Sequence, residues 1–145
     1  MPERENEVVK NISLLKAREK EEPIASFLNA RLEKLTPGFA RVRMKMMPEY
    51  QNFHNLAFGG IIMALADQAF GYASNSLAYP SVASQFNTYF IASTKEGDEL
   101  TAECSVIKSG KRAGVSEVTI KNQEGKLIAK AAGKSHDNTT EGDRQ

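Results

Sequence analysis

One acidic side chain, Asp67, stands inside a predominantly apolar segment of helical length, residues 59–78. An ionised carboxylate among apolar neighbours is costly unless a charged or hydrogen-bonding group pairs with it. We therefore expect Asp67 to lie at an opening, to meet a partner or to have a raised pKa. Two interpretations remain open: a carboxylate that pairs with Lys or Arg at an interface, or a catalytic base or nucleophile.

Two glycines, Gly59 and Gly60, begin the same segment directly after Phe58. The first backbone N–H groups of a helix have no intrahelical partner, and the positive end of the helix dipole lies behind them. Glycines let a ligand approach that backbone closely. Such a helix start can hold a carbonyl oxygen as it gains negative charge, which is oxyanion-hole chemistry.

Small residues recur along the predicted helix at helical spacing, with Asp67 as the one larger member of the series: Gly60, Ala64, Asp67, Gly71, Ser74 and Ala78. Glycine inside a helix costs roughly 1 kcal/mol relative to alanine. We therefore expect something to come close to this side of the helix. A strand or a neighbouring helix would explain the series, and so would a ligand.

The spacing of Gly60 and Asp67 predicts a site that two chains share. Both residues face the same side of the predicted helix, but they are seven positions apart, about 10 Å along the helix axis. One reacting carbon atom cannot touch both. Two antiparallel helices related by a two-fold axis would bring the start of each helix to the carboxylate of the other. The sequence therefore predicts an obligatory dimer.

The elements that position these residues follow from hydrophobic periodicity. The charged residues 1–22 predict an exposed or loosely docked helix that ends before Pro23, and residues 24–28 predict a second, short helix. Alternating apolar residues and turn signals predict strands at residues 30–36, 39–46, 82–91, 99–108, 114–122 and 127–135. The alternation shifts between Val115 and Val118, which predicts a β-bulge there. The pattern indicates an α+β fold in which a sheet wraps around residues 59–78.

Composition narrows the class of protein. The 145 residues suit one domain, and a net charge of +1 argues against nucleic-acid binding. The single cysteine, Cys104, excludes an internal disulfide and a cysteine-rich zinc site, and two distant histidines do not form a ligand cluster. The charged residues 1–10 lack the apolar stretch of a signal peptide, and no apolar run suits a membrane span. We expect a cytoplasmic protein.

Five short runs carry a more specific signal: Asn52–Gly60, Leu65–Asp67, Ala73–Ser76, Val82–Ser84 and Gly133–His136. Together they resemble the PaaI-type (phenylacetate-pathway) branch of the hotdog thioesterases. The resemblance implies a hotdog domain at residues 23–136, an N-terminal helical extension at 1–22 and a flexible tail at 137–145. It implies homodimers that commonly pair into tetramers.

The resemblance also implies hydrolysis of the thioester of a small aromatic or a short- or medium-chain acyl-coenzyme A, with no cofactor or metal apart from the coenzyme A of the substrate. Asp67 matches the catalytic carboxylate, which attacks the thioester or activates water. Gly60, with Gly59, matches the backbone that polarises the carbonyl. Asn52 matches a residue that positions substrate or water, and His54 matches a loop histidine of this branch.

Phe58 departs from the family pattern, because a histidine usually precedes the glycine pair. Phe58 is expected to line the substrate site, together with Ser84 and Gln85. Lys111 and Arg112 are candidates for the phosphates of coenzyme A, although a charged turn is often only solvated.

The loss of the usual histidine favours one rival function, that of a non-catalytic acyl-coenzyme A binder or regulator. A hotdog hydratase would need a histidine beside the carboxylate, and only His54 is near in sequence. A Ser-His-Asp hydrolase lacks support, because the sequence contains no Gly-x-Ser-x-Gly elbow.

Overall fold

The computed structural model of the chain describes residues 2–110 and 112–137. In chain order the elements are α1 (Pro2–Glu19), α2 (Pro23–Leu28), β1 (Ala30–Thr36), β2 (Phe39–Lys45), a short 3₁₀ helix (Pro48–Tyr50), α3 (Gly59–Leu77), β3 (Ser81–Phe90), β4 (Glu99–Lys108), β5 (Gly114–Lys121) and β6 (Leu127–Asp137). None of these helices is long and apolar enough to cross a membrane. Apart from Asp137, the predicted tail lies outside the described residues.

The six strands form one antiparallel sheet in the order β1-β2-β4-β5-β6-β3. Helix α3 packs against all six strands. The predicted α+β hotdog architecture, a sheet around one long helix, is therefore confirmed. The order of the strands also makes β3 an edge strand, next to β6 on one side only.

The core lies between α3 and the sheet face that the alternating pattern predicted. On β2 the inward residues Ala40, Val42 and Met44 are buried, and their neighbours Arg41 and Arg43 are not. On α3 a stripe of apolar residues meets this face: Ile62, Leu65, Ala66, Ala69, Phe70 and Ala73. Burial of these side chains is the main favourable contribution to the fold.

The β-bulge predicted between Val115 and Val118 is wrong. Strand β5 alternates without interruption, because the small residue Ser116 faces the core and Val115 faces outward. The irregularity lies instead on the neighbouring strand, where the pairing shifts between Val106 and Lys108. A buried serine does not stand out in a hydrophobic pattern, so the sequence placed the irregularity on the wrong strand.

The N-terminal helix α1 docks on the domain along one side. Leu15 is buried, and Asn11 donates a hydrogen bond from Nδ2 to the backbone oxygen of Ser76 at 3.3 Å. Near the other end of α1, the carboxylate of Glu19 accepts a hydrogen bond from the N–H of Leu32 at 3.2 Å. The extension is therefore attached both to α3 and to the sheet.

Candidate active site

One side of α3 is exposed in the single chain, although the sequence predicted a sheet that wraps around this helix. Gly60, Met63 and Asp67 are exposed, and Gly71 is half-buried. A Cβ atom built on Gly71 would have no other atom within 4 Å. The sheet covers only the opposite side of the helix. Among the described residues, therefore, none makes the close approach to Gly71 that the small side chains predicted.

Asp67 lies on this uncovered side, in a groove between α3 and the start of β3. The groove is lined by Asp67, Phe70, Gly71, Ser74, Asn75, Ser81, Val82 and Ala83. Within the described part of the chain, no hydrogen bond or ion pair involves the Asp67 carboxylate. The pKa of Asp67 is raised, first because the surrounding protein removes water from it and second because Glu22 repels its charge. A raised pKa makes an ionised carboxylate a stronger base.

Asn75 fixes the wall of this groove. Its Nδ2 donates to the backbone oxygens of Gly71 at 2.8 Å and Ser81 at 3.0 Å, and its Oδ1 accepts from the N–H of Ser81 at 2.8 Å. These bonds tie the last turns of α3 to the first residue of β3. The sequence assigns no role to Asn75, because its hydrogen bonds to Ser81 form only when the chain turns from α3 into β3.

The groove continues into a larger cavity of about 1140 Å³ beneath the N-terminal end of α1. Ser74 and Ser81 line both spaces. Their hydroxyl groups are buried, and neither has a hydrogen-bond partner among the described residues. Buried hydroxyls normally find a partner, so these two are exceptions among the described residues.

Two aromatic rings lie over the glycines at the start of α3. A Cβ atom on Gly60 would lie 2.7 Å from Cε1 of Phe58, and one on Gly59 would lie 3.0 Å from Cζ of Phe90. The first N–H groups of the helix have no intrahelical acceptor. Phe58 is 57% exposed and Phe90 is 52% exposed. The rings therefore form an apolar border beside free backbone donors.

The loop before α3 contains the other two predicted catalytic residues. Oδ1 of Asn52 accepts hydrogen bonds from the N–H of His54 at 2.8 Å and of Leu56 at 3.3 Å. His54 is exposed, and its ring centroid lies 4.2 Å from that of Phe53. Neither Asn52 nor His54 lines the Asp67 groove within one chain. Across the described residues, no group of three His, Cys, Asp or Glu side chains could hold a metal ion.

The predicted substrate-binding residues lie in two places. Ser84 and Gln85 follow directly after the groove residue Ala83, and both are exposed on β3. The hydroxyl of Ser84 donates to the backbone oxygen of Lys134 at 3.3 Å. Arg112 is exposed in the turn between β4 and β5. Lys111 lies outside the described residues.

A sheet wrapped around a helix that presents an unpaired carboxylate and a free glycine start is the arrangement of a hotdog-fold thioester hydrolase. The family model of the thioesterase superfamily matches residues 54–129. The chain is 41% identical to the acyl-coenzyme A thioesterase PaaI of Escherichia coli over 99 residues, which cover 68% of this chain and 71% of that protein. This chain therefore belongs to the thioesterase superfamily, and the predicted resemblance to the PaaI-type branch is confirmed.

Solved structures agree with this assignment. The structure of the E. coli PaaI protein from the phenylacetic acid degradation operon matches with a TM-score of 0.85 at 34% identity, over 92% of this chain and 95% of that one. A thioesterase from Streptococcus pneumoniae, solved with coenzyme A, matches with a TM-score of 0.77 at 29% identity, over 84% and 94% of the two chains. The chain is a thioester hydrolase.

Proposed function

We propose that this hydrolase acts on acyl-coenzyme A and that Asp67 is its catalytic carboxylate. The observation that carries the proposal is the environment of Asp67, which stands unpaired at an open groove with a raised pKa. The names of two relatives support the substrate class, because one is called an acyl-coenzyme A thioesterase and the other was solved with coenzyme A. The acyl group we infer is small and aromatic, or aliphatic and of short or medium length.

We further infer that each site uses two subunits. Asp67 and Gly60 of one chain are too far apart for one thioester, as the helical rise requires. The uncovered side of α3 and the edge strand β3 offer a surface for a second copy. On β3 and just after it, Tyr89, Phe90 and Ile91 are 70%, 52% and 52% exposed. An exposed apolar edge strand is a template for pairing with another chain, which supports a two-fold dimer. Pairing of two such dimers stays a prediction.

The reaction can begin with Asp67 as a general base. Asp67 takes a proton from a water molecule while the water oxygen bonds to the thioester carbon. The N–H groups of Gly59 and Gly60 of the partner subunit donate to the carbonyl oxygen as it gains negative charge. The carbon–sulfur bond then breaks, and the departing thiolate of coenzyme A takes the proton that Asp67 holds.

Asp67 can also act as the nucleophile. Its carboxylate oxygen then bonds to the thioester carbon, coenzyme A leaves as the thiolate, and water hydrolyses the resulting anhydride. Both routes need an ionised Asp67 and the same backbone donors. Phe58 and Phe90 border those donors and would keep bulk water away from the carbonyl.

The remaining parts of the substrate need space and positive charge. The cavity beyond Ser74 and Ser81 gives room that is continuous with the groove. Lys108 lines this cavity at the end of β4. Arg112 follows in the turn between β4 and β5, and Lys111 precedes it in the sequence, so we assign these two residues to the phosphates of coenzyme A.

A non-catalytic acyl-coenzyme A binder is the second candidate function. The observation that favours it is Phe58, whose ring stands over Gly60 where the family usually has a histidine. The retained Asp67 argues for catalysis, because binding alone does not require an unpaired carboxylate at the groove.

The test compares the intact protein with Asp67→Asn on a panel of acyl-coenzyme A substrates, with thiol release as the readout. Loss of a positioned base should lower kcat/KM by about 10²- to 10⁴-fold. Circular dichroism should show an unchanged fold. Turnover that is indifferent to the substitution would refute the role of Asp67. Binding without turnover in the intact protein would establish the second candidate.

A further inference from the structure

A second carboxylate, that of Glu22, lies close to the Asp67 site. Glu22 belongs to the link between α1 and α2 and is half-buried. Its Oε1 accepts a hydrogen bond from Nε2 of Gln68, the residue that follows Asp67 on α3. The link therefore holds a negative charge beside the middle of the helix that carries Asp67.

The position of Glu22 is fixed from both sides. Its N–H donates to the backbone oxygen of Glu19 at 3.3 Å, in the last turn of α1. Pro23 begins α2 directly after it, and the backbone of Glu22 is extended there, with φ −72° and ψ 118°. Proline restricts the residue before it to this extended region. The carboxylate is thus delivered to α3 by a constrained backbone rather than by a free tail.

The negative charge of Glu22 acts on the pKa values of two side chains of α3, Asp67 and Tyr72. After burial, the charge of Glu22 is the second cause that raises the pKa of Asp67. It also raises the pKa of the Tyr72 hydroxyl, five residues further along α3. Glu19 of α1 is the other acidic group that acts on Tyr72. On the β3 side, the groove residues that face Asp67 carry no ionisable group. Glu22 is therefore the charged neighbour of Asp67 in the described part of the chain.

We propose that Glu22 is a positioning residue of the active site, through which the N-terminal extension sets the basicity of Asp67. The proposal rests on the proposed role of Asp67. A nearby negative charge disfavours ionisation of a carboxyl group. An ionised Asp67 beside Glu22 accordingly binds a proton more strongly, and general-base efficiency rises with the strength of the base. The extension thereby contributes to the chemistry and does more than cover the domain.

The test uses Glu22→Gln, which removes the charge and keeps the size and the capacity to hydrogen-bond with Gln68. The acid limb of the pH profile of kcat/KM should move to lower pH, and the plateau should fall by roughly two- to threefold because Asp67 becomes a weaker base. The matched control is Glu21→Gln, which removes an equal charge from the exposed neighbouring position. The control should leave both the limb and the plateau unchanged.

A direct titration of Asp67 separates this proposal from the proposed function. The ¹³C carboxyl signal of Asp67, identified by its absence in Asp67→Asn, should titrate at lower pH in Glu22→Gln than in the intact protein. Gln68→Leu, which removes the anchor of Glu22, should move the midpoint in the same direction. An unchanged midpoint in folded Glu22→Gln would overturn the proposal. If Asp67→Asn remains active, the proposed function fails, whatever the titration shows.

Discussion

At the residue scale, the sequence identified Asp67 because a single acid in an apolar helix needs an explanation. The glycine pair was identified because Gly59 and Gly60 let a ligand approach the free N–H groups at the start of the helix. Glu22 and Asn75 were not identified. Each acts on a residue that is distant in the chain or across a turn, and a pattern read along one segment does not contain such contacts.

The raised pKa of Asp67 predicts a cost in stability. The folded state holds the Asp67 proton more tightly than the unfolded state, whose aspartates titrate near 3.9. Stability therefore falls as the pH rises from that value through the raised pKa of Asp67. At pH 7, Asp67→Asn should unfold at a higher temperature than the intact protein. The difference should vanish well below about pH 3.9, and a lower unfolding temperature for the variant at pH 7 would contradict this.

Asp98 provides a control, because its pKa is shifted in the opposite direction to that of Asp67. Burial alone would raise its pKa, but hydrogen bonds from the N–H of Lys95, from Gln123 and from Thr94 outweigh burial and lower it. The stability that Asp98 contributes is present above the ordinary pKa of an aspartate and is lost as the pH falls through the lowered value. Asp98→Asn should therefore unfold at a lower temperature than the intact protein at pH 7, in the same thermal scans.

At the element scale, strands such as β2 and β4 were predictable because they alternate with a period of two against one core face. Strand β5 shows the limit of that pattern. Its inward residue Ser116 is polar and its outward residue Val115 is apolar, so hydrophobicity alone suggested a shift in register. The docking of α1 was equally difficult to predict from the sequence, since only Leu15 of that helix is buried.

The contact of β6 with α3 and β3 predicts an intolerant glycine. A Cβ atom on Gly133 would lie 2.6 Å from Cε2 of Phe70 and 2.7 Å from Cδ2 of Phe86, whose rings pack edge to face. Gly133→Ala should therefore lower the free energy of unfolding by about 1–3 kcal/mol, as overpacking does. Chemical denaturation measures the loss.

The matched control for Gly133 is Ala132→Val, which enlarges the exposed side of the same strand. Its free energy of unfolding should change by less than about 0.5 kcal/mol. If Gly133→Ala is as stable as this control, the close packing of Phe70 and Phe86 against β6 is wrong.

The turn between β4 and β5 makes a prediction about substrate affinity. Lys111 and Arg112 are assigned to the phosphates of coenzyme A, far from the bond that breaks. Their replacement by alanine should raise KM for acyl-coenzyme A and spare kcat, because the lost contacts bind substrate and transition state equally. Steady-state kinetics at low salt give the readout, with Lys126→Ala in the next turn as a control. An unchanged KM would contradict the assignment of these two residues to the phosphates of coenzyme A.

At the scale of the whole molecule, the distance between Gly60 and Asp67 along one helix decides how many chains form a site. The spacing of Gly60 and Asp67 called for a second chain before any surface was known. The sequence predicted that two copies of this helix would face each other, but it did not indicate a role for β3, because an edge strand depends on the order of strands in the sheet. We propose that the second chain binds at the exposed side of α3 and at the exposed residues of β3.

Subunit mixing tests the shared site most directly. Asp67→Asn and Gly60→Val each disable one half of a site, and coexpression at equal levels makes half of all dimers mixed. In a mixed dimer, one site combines both substitutions and the other is intact, so about a quarter of the wild-type activity should return under two-fold symmetry. Native mass spectrometry confirms the mixed species. Activity that stays at the level of the single variants, despite abundant mixed dimers, would contradict a site built from two chains.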